Sequence, residues 1–514
     1  MAAVDERTPA TLDHHRSEIG QQPAGERSRW IALYVLCVGM LMIVLDVTIV
    51  NVALPSIQDS LGFSSSSLAW VVNAYLIAFG GLLLLAGRLG DLLGRRRVFL
   101  LGVGLFTAAS LACGLAQSQE LLIGARFAQG IGGAMTSAVI LGMIVTMFPE
   151  PREQARAIGI YAFVASAGGS IGLLAGGILT QSINWHWIFF VNIPIGIATA
   201  VFARRLIGAE QGIGLGEGAD VPGAILVTGA LMLGVYTIVK PAAEQGWGAS
   251  RTLELGAVSV ALLAAFLARE ASARNPLIPL RIFRSREVSA ANIVQVLSVA
   301  GMFGMFFLGA LYLRRVLHYD ALQIGLAFLP VTIAMGSLSI GFSERLITRF
   351  GARANIVSGL VAIMAGLVLF TQTPVHGSYL AHVMPSMLLL GLGAGACFPA
   401  LMAVAMSGST PQDAGLASGL VNTTAQVGGA LGLAVLATLS ASRRADLIGA
   451  GRSTQAALTG GYHLAFWIAS ALVAGAIAVA VLVLREQGRA ERSPALERDE
   501  PVPATAVTIE EQAA

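Results

Sequence analysis

The sequence predicts an all-α integral membrane protein with about fourteen transmembrane helices. Three observations lead there. Of 514 residues, 55% are hydrophobic and only 12% are charged. The mean hydropathy is +0.75. The apolar residues also gather into recurring runs long enough to span a bilayer. Soluble domains carry roughly 25% charge, and no soluble fold could hide this much apolar surface, so one polytopic bundle is the natural unit.

Taking about 20 apolar residues per spanning helix, the spans fall near 30–54, 68–90, 97–116, 119–147, 153–181, 186–206, 221–239, 252–268, 289–312, 321–344, 354–371, 379–406, 414–440 and 463–484. Residues 1–29 lack the apolar core of a cleavable signal and are expected to form a disordered tail, as are residues 485–514. An even number of spans puts both tails on one side. With the N-terminus inside, 24 Lys/Arg residues lie on the inner side and 7 in the outer loops, while Arg126 sits within a span; this bias makes both tails cytoplasmic. The basic residues are scattered over short loops, which argues against a nucleic-acid partner. Cys37, Cys113 and Cys397 fall inside apolar runs without metal-ligand spacing and are read as packing residues.

The chain also echoes itself. At an offset of 257, Arg88 pairs with Arg345, Leu89 with Leu346, Gly94 with Gly351 and Arg96 with Arg353; at an offset of 260, Gly-Gly-Ser-Ile-Gly (168–172) pairs with Gly-Gly-Ala-Leu-Gly (428–432). These matches divide the chain into an N-terminal six-helix bundle (30–206), a linker with two extra transmembrane helices (207–288) and a C-terminal six-helix bundle (289–484). Two pseudo-symmetric halves around a midplane site are the physical basis of alternating access in secondary transporters.

Asp46 lies mid-span, where an ionised carboxylate is costly unless it is paired, hydrated or protonated. It reads either as a proton site that loads and unloads as a cavity alternates, or as a structural polar contact between helices. Arg126 is the only basic residue mid-span and the natural partner, although spacing alone does not join the two. A buried pair is weak evidence for stability, but one that breaks on protonation would be a switch. Gly168, Gly172 and Gly176 recur every fourth residue, with Gly169 and Gly177 beside them, and let a neighbouring helix approach closely; this fits either plain packing or a sealing contact between the halves. Asn73, Tyr75, Gln129, Asn292, Gln295, Asn422 and Gln426 are polar side chains in spans that need partners or a watery cavity. Phe303, Phe306 and Phe307 with Met302 and Met305 form a cluster suited to adaptable apolar ligands or, equally, to core packing.

These residues resemble the major facilitator superfamily, in particular its fourteen-helix drug:proton antiporters of the EmrB/QacA type, over residues 30–485. Gly87-Arg-Leu-Gly-Asp91-Leu-Leu-Gly94-Arg-Arg-Arg97 resembles the superfamily's loop signature after the second span. Leu45 to Pro55 resembles the first-span motif of the fourteen-helix group, and Trp185 to Gly196 and Ala414 to Gln426 are also similar to it. The resemblance implies the major facilitator fold. It also implies a latch between halves on the cytoplasmic side in the outward-facing state, formed by Gly87, Arg88, Asp91, Gly94, Arg95 and Arg96, and roles for Asp46 and Arg126 in proton coupling. The chain departs from the antiporter signature at Leu173, where proline is usual, at His186, where arginine is usual, and at Thr348, which replaces an acid.

The resulting expectation is a secondary active exporter in a bacterial plasma membrane, not an enzyme. It would exchange protons for lipophilic or cationic small molecules without a cofactor, with the proton gradient as its energy source. The pathway would involve Asn73, Tyr75, Gln129, Phe303, Phe306, Asn422 and Gln426. The alternative is a dedicated exporter of an endogenous metabolite or lipid. The expected partners are substrate, protons and the lipid bilayer; a monomer is expected, with a periplasmic adaptor left open. An ATP-driven pump is excluded because the single lysine, Lys240, stands in Val-Lys-Pro rather than in a phosphate-binding loop. The seven histidines form no ligand pattern.

Overall fold

The computed structural model describes residues 26–64, 66–208, 212–214, 218–407 and 414–484. The first six long helices are α1 (Glu26–Leu61), α2 (Trp70–Leu93), α3 (Arg95–Gly114), α4 (Gln119–Met147), α5 (Pro151–Ser182) and α6 (Asn192–Leu206). Two more follow, α7 (Val221–Thr237) and α8 (Ser250–Ser272). A second six complete the chain: α9 (Arg286–Arg315), α10 (Ala321–Gly341), α11 (Ala352–Phe370), α12 (Met384–Ser407), α13 (Ala414–Gly449) and α14 (Thr454–Val483). Among the described residues, 13 helical stretches are long and apolar enough to cross a membrane. The remaining long helix, α5, carries no charged residue over 157–182.

The expected N-terminal tail is too long by one turn, because α1 already begins at Glu26; residues 1–25 and the C-terminal tail lie outside the described residues. Two helices also overrun their expected ends at 54 and 440. A helix satisfies its own backbone donors wherever it goes, so α1 continues through Gln58 and Asp59, and α13 through Arg443 and Arg444.

The internal echo has a structural counterpart. Gly94 ends α2 and starts α3 at φ +96°, and Gly351 does the same before α11 at φ +84°. Both turns need the left-handed region, which glycine enters without penalty. Arg96 donates to the carbonyl of Arg204 near the end of α6, and Arg353 donates to that of Val481 near the end of α14, at 2.6 Å. In both sets the fifth helix packs on the first through small residues: Gly168 on Leu41 and Val44, and Gly428 on Val296. The two sets meet along two further seams, α5 against α10 and α2 against α13.

The glycine stripe of α5 therefore splits. Gly168, Gly172 and Gly176 face α1 within their own half, which is the plain-packing reading of the stripe. Gly177 faces the other half: a Cβ there would lie 2.9 Å from both Ala321 O and Leu322 Cα. Its counterpart on α10, Gly325, is capped by Leu173 O at 2.5 Å from a Cβ position. Because Leu173 keeps the N–H that proline would lack, α5 runs unbroken through this crossing. Gly177→Val is expected to cost about 1–3 kcal/mol, since backbone atoms cannot yield as a flexible side chain can. The check is thermal unfolding in detergent, with Gly87→Ala, which meets nothing within 4 Å, as the near-neutral control.

A buried ion-pair network as candidate functional site

Asp46 and Arg126 touch. Five helices and the turn Trp187–Phe190 converge on them: α1, α3 and α6 each place one polar side chain on an otherwise apolar inner face, α4 places Arg126 and Gln129, and α2 brings Val71 O and the Tyr75 ring. Arg126 Nη1 donates to Asp46 Oδ2 at 2.5 Å, while Asp46 Oδ1 accepts from Gln129 Nε2 at 2.7 Å and from Asn192 Nδ2 at 3.1 Å. Gln129 Nε2 also donates to Ser110 Oγ at 2.8 Å, and its Oε1 accepts from Arg126 at 2.7 Å. Arg126 Nε reaches Val71 O at 2.9 Å, and the guanidinium carbon lies 4.5 Å from the centre of the Tyr75 ring and 5.9 Å from that of Phe189. Such a cation over an aromatic face is stabilised by the ring quadrupole.

Asp46 is 0% exposed and Arg126 1%. Of the two readings of Asp46, a proton site on an alternating cavity or a structural polar contact between helices, this geometry is that of the contact, sealed inside the first six helices. The reason is satisfaction: both carboxylate oxygens have donors from the same half, so this arrangement needs no water. A proton can reach the carboxylate only if these contacts part.

At the α2–α3 turn, Asp91 pairs with Arg95 of its own turn at 3.2 Å, and Arg95 also donates to Gly142 O on α4 at 3.2 Å. Arg88 Nε reaches Gly218 O at 3.4 Å. None of these contacts of the turn crosses to the second half. At the opposite end of the bundle the halves are tied together. Arg315, in the last turn of α9, pairs with Asp59 at the end of α1 and donates to Gln58 Oε1 at 3.2 Å, just beyond the Gly177 crossing.

The remaining expected pathway residues separate into two places. Tyr75 and Gln129 belong to the ion-pair network. Phe303 and Gln426 lie on the α2–α13 seam: a Cβ on Gly429 would meet Phe303 at 3.2 Å and Leu76 at 3.4 Å, and one on Gly80 would meet Gln426 Cβ at 2.7 Å. Asn73 shares the α2 stripe of Leu76 and Gly80 by helical spacing; it is fully buried, and neither amide atom has a partner among the described residues. Phe306 stacks on Phe328 at 5.5 Å, while Met302, Met305 and Phe307 are buried core, so most of that cluster is packing. Asn422 is exposed and bonds only its own helix, at Ser418 O. Asn192 and Ser110 were missed, although both are polar residues in apolar runs and the rule that each needs a partner would have flagged them.

The Major Facilitator Superfamily family model matches residues 36–433. The chain is 39% identical over 461 residues to the puromycin resistance protein pur8 of Streptomyces alboniger, covering 89% of this chain and 90% of that protein. It is 38% identical over 413 residues to the cephamycin export protein CmcT of Amycolatopsis lactamdurans, covering 80% and 85%. Its fold is similar to that of a crystal structure of a bacterial homologue of the human lysosomal transporter Spinster, inward-facing and unoccupied, with a TM-score of 0.64 at 16% identity over 89% of this chain and 97% of that one.

Proposed function

The chain belongs to the major facilitator superfamily, and from that premise we propose that it is a proton-coupled antiporter that exports lipophilic or cationic drugs by alternating access. It is a transporter rather than an enzyme, embedded as a multi-pass protein in the bacterial plasma membrane, and relatives named for antibiotic resistance and export support drug efflux. Enclosure of Asp46 by itself fits a structural contact between helices; what supports proton coupling is its pairing with Arg126, which protonation of the carboxylate would break. A carboxylate that is fully satisfied when sealed, and reachable only when helices separate, has its protonation tied to conformation.

The cycle follows from the two ends of the bundle. With both tails cytoplasmic, the Asp59–Arg315 pair and the Gly177 crossing close the outer side, and the α2–α3 turn on the inner side is disengaged from the second half. In the outward-facing state the pair would break and Asp91 would move to the other half, where a helix N-terminus favours a carboxylate. Substrate would pass along the α2–α13 seam, where Asn73 offers an unpaired amide and Phe303 an adaptable apolar surface.

A second reading, export of one endogenous metabolite or lipid, is favoured by a relative named for a single compound, CmcT. Dye efflux from proteoliposomes under an imposed pH gradient tests the first reading: export is expected to rise with the gradient and to collapse with a protonophore. Export indifferent to the gradient rejects proton coupling, and a growth defect without added drug would favour the second reading.

A further inference from the structure

We propose that Glu270, at the cytoplasmic end of the inserted α7–α8 pair, carries a proton beside the Asp220 carboxylate and so holds the inter-half loop against the α2–α3 turn. Both residues are 3% exposed. Asp220 caps α7: its Oδ1 accepts from Gly223 N at 3.1 Å and from Arg269 Nε at 3.0 Å. Glu270 Oε2 accepts from Ile278 N at 2.9 Å. Asp220 Oδ2 and Glu270 Oε1 are buried and have no partner among the described residues. They also converge, because a Cβ on Gly223 would meet both oxygens at once, Glu270 Oε1 at 2.9 Å.

Two carboxylates and one guanidinium leave an uncompensated negative charge in a space lined by Leu85, Ala224, Phe266 and Leu277. The charged groups that bear on it are Asp220, the cap of α7, and Arg269 and Glu270 on α8; Arg88 on α2 turns its guanidinium to Gly218 O instead. One proton removes the excess charge, and an O–H between the two free oxygens gives each a partner. Like carboxylates sharing a site favour this half-protonated form. The consequence reaches the α2–α3 turn: Ile213 N donates to Asp91 O and Gly214 N to Leu92 O, both at 3.1 Å, and Gly218 O accepts from Arg88. Losing the proton would drive the start of α7 from the end of α8 and loosen that loop from the turn.

The site rests on the transporter reading only for its sidedness, and its test does not use transport. Infrared difference spectra between mildly acidic and mildly alkaline pH are taken on the full chain in detergent, in an Asp46→Asn background so that Asp46 cannot contribute. A protonated-carboxyl carbonyl band is expected in that background and is expected to vanish in Glu270→Gln and in Asp220→Asn. Stability should fall as pH rises, and Glu270→Gln, whose amide can donate to Asp220 as the protonated acid does, should lose that slope. Asp220→Asn keeps the cap acceptor and serves if Glu270→Gln does not fold. A band that persists in both variants overturns the proposal. So does stability that follows added sodium at fixed pH, because the ligand would then be a metal cation.

Discussion

Asp46→Asn is expected to fold, to insert and to lose export driven by a pH gradient down to the level of empty liposomes. The amide cannot satisfy the network as the carboxylate does. Asp46 accepts from Arg126, Gln129 and Asn192, whereas asparagine has one acceptor oxygen and turns an N–H₂ toward one of these donors. That mismatch and the Arg126 cation left without its counter-ion together cost about 3–5 kcal/mol, which a bundle of this size tolerates. Substrate counterflow without a gradient should persist, because the α2–α13 seam is untouched, and this separates a coupling defect from a binding defect. Undiminished gradient-driven efflux in the mutant would remove Asp46 from the energetics of the cycle.

Much of this was legible in the chain because a bilayer leaves few choices. Backbone donors must be met within a helix, so apolar runs translate into spans, and the echo of Gly94 and Gly351 translates into two equivalent left-handed turns. The same constraint marked Asp46 and Arg126, the only plainly intramembrane acid and base, as partners. The direction each helix face points was not legible. Spacing placed Gly168, Gly172, Gly176 and Gly177 close together, yet three of them face α1 and one faces α10, because adjacent residues lie about 100° apart around a helix. Asp59, Asp220 and Glu270 escaped notice for another reason: they sit at helix ends, where a charge looks solvated, and only the packed structure shows two of them buried.

The ends of the bundle also explain why the ion pair is useful. In the sealed state Asp46 and Arg126 neutralise each other, and nothing is gained by opening. Protonating Asp46 leaves Arg126 as a buried cation held by Val71 O, Gln129 and two aromatic faces, an arrangement that favours hydration and hence separation of the surrounding helices. Under the proposed coupling, neutralising this one small group would bias a two-state element, which is the minimal requirement for it.

Arg126→Met is accordingly expected to be the most destabilising single change in the network. It leaves the Asp46 carboxylate at zero exposure with only the two amide donors of Gln129 and Asn192, and removing one partner of a buried pair costs about 3–5 kcal/mol. It also strips the rings of Tyr75 and Phe189 of their cation. Adding Asp46→Asn to this variant should restore part of the loss, since the stranded charge disappears with it. The double mutant should therefore unfold at a higher temperature than Arg126→Met alone in detergent, while remaining inactive in gradient-driven efflux. Strictly additive losses would mean that the two side chains contribute independently, and that the pair cannot act as the switch on which coupling depends.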